Sequence, residues 1–177
     1  QATVLVTMPM ALGLMVLTGP VINLFGYPEV YRNAITPTVL LAASLPLVGT
    51  NMILGCILSA LDRQKQWAIA GVGAAILNPS LNFLAIPYTQ DKFANGGIGA
   101  AAVTSLTEVF LLGAALWLMP RNVLSVRMLR SITGCLIAGA AMAGAVWLVR
   151  DYPVVLTVPF GALVYGVAVI GLGGVTF

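Results

Sequence analysis

From Trp67 to Ile86 (WAIAGVGAAILNPSLNFLAI) and again from Ile98 to Met119 (IGAAAVTSLTEVFLLGAALWLM) the chain is almost uninterruptedly apolar. An apolar bilayer core of roughly 30 Å is crossed by about 20 helical residues, so each stretch is long enough to span. The polar link between them, Pro87 to Gly97, is too short for anything but an antiparallel pair. Glu108 falls ten residues into the second stretch, about 15 Å along a helix. Asn78 lies eight residues before the link, about 12 Å deep by the same rise. The two polar groups are therefore expected at similar depth near mid-membrane. An ionisable side chain there costs on the order of 3 kcal/mol, so it faces a partner or a cavity rather than lipid.

The rest of the sequence repeats this pattern. Sixty per cent of the residues are apolar and seven per cent charged, against about a quarter charged in an ordinary soluble domain. Apolar runs cover about 3–25, 35–61, 67–86, 98–119, 132–149 and 154 onward. Each is too long and continuous to be a barrel strand of about ten alternating residues. The expected fold class is therefore all-α, a polytopic helical bundle with six transmembrane helices. Prolines at 9, 20, 46 and 79 fall inside these runs, which membrane helices tolerate where neighbours satisfy the freed carbonyls. The chain opens on Gln1 and ends within an apolar run, and reads as a piece of a longer polytopic protein.

Charge gives the orientation. The links after the second and fourth helices carry Arg63, Lys65, Arg121, Arg127 and Arg130; those after the first, third and fifth carry Arg32, Lys92 and Arg150, each beside an acid. By the excess of Lys and Arg in cytoplasmic loops, both ends are expected on the cytoplasmic side. The net charge of +3 thus reads as membrane topology and not as a nucleic-acid footprint. The chain has no histidine, hence neither the commonest general base nor the commonest metal ligand. Four of the five acids sit in links next to basic residues, and no cofactor or metal is expected. An integral membrane enzyme would need paired carboxylates or a ligand cluster near the interface, so no enzymatic activity is expected. Cys56 and Cys135, without ligand-like spacing, are expected as small buried hydrophobes.

Several stretches carry a family likeness. TMPMALGLMVLTGPVINLFGYPEVYRNA, the second-helix segment ending ALDRQKQ, the ILNPSLNFLAIP run and GGIGAAAVTSLTE resemble the multidrug/oligosaccharidyl-lipid/polysaccharide exporter superfamily. Within it they are most similar to the polysaccharide-biosynthesis (O-antigen type) lipid-linked oligosaccharide flippases. The likeness covers about residues 3–120, and the pairing of the LN-x-x-LN-x-x-x-IP run with the glycine-rich Glu108 helix is its most specific part. It implies a two-lobed, fourteen-helix transporter of the cell inner membrane. Residues 1–120 would be four helices completing the second lobe, and 121–177 two additional C-terminal helices. The implied partners are membrane lipid, the lipid-linked oligosaccharide and the missing N-terminal helices of the same protein.

On that reading the substrate or cavity candidates are Glu108, Asn78, Asn82, Arg63 and Lys65. Each has a structural alternative. Glu108 is either a cavity carboxylate or a hydrogen-bonded structural acid packed against Asn78, Asn82 or Thr104. Asn78 and Asn82, spaced i, i+4 on one helix face, either tie helices together or touch substrate. Thr104, Ser105 and Thr107 are expected to bond back to their own helix. Arg63 and Lys65 either attract a lipid diphosphate or only set topology. The leading functional expectation is flipping of a lipid-linked oligosaccharide by alternating access. The alternatives are a cation-coupled multidrug exporter of the same superfamily and a non-transporting membrane scaffold.

Overall fold

The computed structural model describes residues 2–26, 29–120 and 126–171, and these are all helix and turn. In chain order they form α1 (Ala2–Leu24), a 3-10 segment (Glu29–Ala34), α2 (Ile35–Ala60), α3 (Gln64–Phe93), α4 (Gly96–Leu118), α5 (Val126–Leu148) and α6 (Val154–Gly171). Five helical stretches are long and apolar enough to cross a membrane; the apolar part of α5, Thr133–Leu148, is shorter. Large apolar side chains stand exposed along them, Trp117 at 85% and Phe83 at 81%. Such surfaces suit hydrocarbon and not water.

One boundary differs from the sequence expectation. The polar link placed at Pro87–Gly97 is mostly helix: α3 continues through Pro87, Asp91 and Lys92 to Phe93. Thirty residues make about 45 Å of helix, enough to carry the polar last turns beyond a hydrocarbon core of about 30 Å. Proline 87 removes one backbone donor without ending the helix, as Pro79 does in mid-span. Asn78, expected about 12 Å from the link, consequently lies at the middle of α3. The turn that remains is Ala94 and Asn95. Ala94 adopts φ 52°, a left-handed cap whose N–H reaches Thr89 O. Asn95 then caps α4, its side chain accepting from Gly97 N at 3.1 Å.

By contact the helices fall into two compact units, α2, α3 and α4 in one and α1, α5 and α6 in the other. The division at residue 120 expected from family likeness concerns a larger assembly and is a different partition from this one.

In the α2–α4 unit, α3 and α4 meet back to back near their shared turn. A Cβ at Gly99 would collide with the Ala85 carbonyl and with Thr89 Oγ1, so only glycine allows this approach, as the GGIGAAA stretch suggests. Thr89 Oγ1, which donates to Ala85 O at 2.8 Å, also accepts from Gly99 N at 3.1 Å. At the other end, Leu54 and Leu58 of α2 pack on Ala115 and Leu118 of α4, with Trp67 of α3 against them. Asp62, at φ 56°, turns the chain from α2 into α3, and Arg63 N closes the helix end on Leu58 O at 2.8 Å.

The other unit is held by apolar side chains. Leu17 of α1, Ala138, Met142 and Val146 of α5 and Tyr165 and Val169 of α6 form one buried cluster. Thr157 near the start of α6, 1% exposed, donates to Pro153 O at 3.2 Å. Arg150, in the turn between α5 and α6, lies 5.0 Å over the Trp147 ring and 3.9 Å from Asp151.

Candidate functional site

The α2–α4 unit contains a seam of polar side chains halfway along its helices. Glu108 is half-buried on α4. Its partner is Asn51 of α2, whose Nδ2 donates to Glu108 Oε2 at 2.8 Å and to the Glu108 carbonyl at 2.9 Å. The expected partners Asn78, Asn82 and Thr104 do not fill that role. Asn78 Nδ2 donates instead to Thr107 Oγ1 at 3.1 Å, and Asn82 Nδ2 to Asn78 Oδ1 at 2.9 Å. Thr104 donates to its own helix at Ala100 O. The physical reason is helical phase. Thr107 and Glu108 are adjacent, so their side chains diverge by about 100°. Thr107 faces α3 and Glu108 faces α2.

Asn78 and Asn82 therefore form a relay that joins α3 to α4, ending where Thr107 Oγ1 donates to Val103 O at 2.8 Å. Ser105 also bonds back, to Ala101 O at 3.0 Å, and reaches across to Leu40 O at 3.3 Å. Arg63 is half-buried, and its Nη1 donates to the Leu118 carbonyl at the end of α4. A guanidinium there satisfies a carbonyl without an intrahelical partner and complements the negative end of the helix dipole. Lys65 is exposed in the first turn of α3. Of the other basic residues read as topological, Arg121 and the side chains of Arg127 and Arg130 lie outside the described residues.

Sequence reasoning missed Asn51 as the residue that holds Glu108. A signal for it exists. Asn51 lies nine residues before the end of α2 and Glu108 ten before the end of α4, so two helices running the same way carry them about 14 and 15 Å from their ends.

Above this pair opens a groove of about 660 Å³. Asn51 and Glu108 supply polar surface within it, and Ser59 a third group. Val48, Met52 and Leu111 are apolar walls, with Trp67 and Cys56 beyond them. The indole of Trp67 lies so close over Gly55 that a Cβ there would sit 2.6 Å from its Nε1. Cys56 was expected to be buried and is exposed on this groove, whereas Cys135 is buried at 1%. The difference is one of helix face: Cys56 follows Gly55 on the side of α2 that the indole leaves uncovered.

Asn51 itself is only 4% exposed, and its Oδ1 has no hydrogen-bond partner. Among the described residues, no ion pair involves Glu108. The groove thus combines apolar walls with converging polar groups, the usual make-up of a small-molecule site.

No protein-family model, curated protein or solved structure matches the chain.

Proposed function

We propose that the chain is part of a membrane transporter of the multidrug/oligosaccharidyl-lipid/polysaccharide exporter superfamily. Its task is to move a lipid-linked oligosaccharide from the cytoplasmic to the outer leaflet of the inner membrane by alternating access. Two things support the reading. The first is the likeness of residues 3–120 to the polysaccharide-biosynthesis flippases. The second, which carries it physically, is the Asn51–Glu108 pair, held half-way along apolar helices and open to an apolar-walled groove. A polar group at such depth is costly where it has no task. A transporter needs polar contacts at that level and apolar surface on either side of them. The prenyl tail stays in lipid throughout, and no covalent step by this chain is needed. Both ends are cytoplasmic on this reading, as the charge bias of the links requires.

The decisive measurement is translocation of lipid-linked sugar in vesicles bearing the full-length protein, wild type against Glu108→Gln and Glu108→Leu. The expected result is reduced flipping in Glu108→Leu, with Glu108→Gln retaining more. Equal rates in all three remove Glu108 from the transport path.

A second reading, export of cationic amphiphiles, is favoured by one observation: Glu108 carries no described ion pair. Uptake of a lipophilic cation by the same vesicles, dependent on Glu108 and indifferent to lipid-linked sugar, selects it.

A further inference from the structure

We propose that the groove over Asn51 and Glu108 is a hydroxyl subsite, seating a neutral sugar ring and turning away its phosphate; this rests on the transport reading above. The argument starts from which hydrogen-bonding capacities are left open on its floor. Asn51 Nδ2 is spent on Glu108, and what remains of that amide is Oδ1, buried and without a partner. Glu108 contributes carboxylate oxygens, only one of which receives the Asn51 amide. Ser59 gives its hydrogen to Gly55 O at 2.9 Å, leaving lone pairs. On the groove surface the oxygen of Glu108 that Asn51 leaves free and the Ser59 lone pairs are the acceptors, with Asn51 Oδ1 buried behind them.

Such a floor selects by complementarity. An acceptor that gains a donor from a ligand is better satisfied than one left to apolar surroundings. A sugar ring brings several hydroxyl donors at once. A phosphate at neutral pH brings acceptors and negative charge, and meets a carboxylate. An inorganic cation is poorly served as well. Fixed cation sites take about six or more oxygens in a closed shell, whereas this groove is about 660 Å³ and walled by Val48 and Leu111. That volume lies within the roughly 300–1,000 Å³ usual for small organic ligands. The apolar walls and the Trp67 ring match the C–H surface of a sugar. The phosphate of a lipid-linked carrier therefore lies outside the groove while a sugar occupies it.

The test uses the full-length protein in lipid nanodiscs, and the Trp67 signal is the tryptophan fluorescence that Trp67→Phe removes. Hexyl β-glucoside, hexyl phosphate and hexylammonium share one tail and differ in head group. The glucoside is expected to give a saturable change in Trp67 fluorescence, with the phosphate about tenfold weaker or worse and the ammonium no tighter than the glucoside. Asn51→Leu is expected to weaken glucoside binding about tenfold. Should that variant fail to fold, Glu108→Gln, which keeps an acceptor, retains glucoside binding while Glu108→Leu loses it. Phosphate binding as tight as glucoside, or ammonium binding tighter than it, overturns the subsite, and so does glucoside binding that ignores all three substitutions. A protein that binds glucoside as described yet moves no lipid-linked sugar overturns the transport reading alone. Undiminished flipping in a folded Asn51→Leu protein overturns the subsite alone.

Discussion

The two helical units solve the same packing problem with different chemistry. In the unit of α1, α5 and α6, Leu17, Met142, Val146, Tyr165 and Val169 close on one another. In the unit of α2, α3 and α4, the helices are joined by Asn51 to Glu108, Asn78 to Thr107 and Arg63 to the Leu118 carbonyl. Between helices in lipid there is no hydrophobic driving force, so close packing and interhelical hydrogen bonds must do the joining. The first unit relies on packing, and the second adds a polar seam. Packing fixes one arrangement of side chains. A hydrogen-bonded seam leaves acceptors without partners, and among the described residues Asn51 Oδ1 and Asn82 Oδ1 are two of them, the first on a residue that lines the groove over Glu108. In the α2–α4 unit the mid-helix carboxyl group of Glu108 has a groove to face.

Substitutions can break or sharpen that contrast, and unfolding of the reconstituted protein in bicelles measures them. Gly99→Val should have the largest effect, about 3 kcal/mol of destabilisation, because the new side chain meets the Ala85 backbone and cannot be accommodated by a rotamer change. Met142→Ala empties a residue 3% exposed in the apolar cluster of the other unit. A loss of about 2 kcal/mol is expected there from packing alone. Asn51→Leu removes two hydrogen bonds to Glu108 and should cost about 1 kcal/mol, since interhelical hydrogen bonds in membranes average about 0.6 kcal/mol. If Asn51→Leu costs more than Met142→Ala, the seam is the stronger device and the contrast is reversed. Ala94→Gly should be the smallest effect and of opposite sign, a gain of about 0.5 kcal/mol, by relieving a left-handed conformation in a residue with a Cβ. No gain would mean that the turn is held by the Asn95 cap and not limited by Ala94.

Much of the fold is legible in the sequence because the bilayer leaves few options. Backbone groups in hydrocarbon must bond within a helix or closed barrel. Twenty-residue apolar runs therefore fix helices at near the right boundaries, α2 and α4 among them. The exception is instructive: Asp91 and Lys92 read as a link, yet a helix long enough to leave the hydrocarbon carries them in its own last turns. The glycine-rich start of α4 also announces a close approach, and Gly99 realises it. The back-bonding of Thr104, Ser105 and Thr107 follows from local geometry and was equally readable.

Of the groove's polar pair, Glu108 was legible in the sequence and its partner Asn51 was not. Sequence spacing places Glu108 and Asn78 at one level, and it gives the i, i+4 pair Asn78 and Asn82, because rise per residue is fixed by the helix. It does not say which helix each residue faces. That depends on the azimuth at which α2, α3 and α4 meet, set by Gly99, by the Trp67 indole over Gly55 and by the leucines of α2. Tertiary packing alone turned Thr107 toward Asn78 and Glu108 toward Asn51, left Asn51 Oδ1 open, and exposed Cys56 on a groove. Depth is a property of one chain segment and its solvent; partnership is a property of how three segments rotate about their axes against each other.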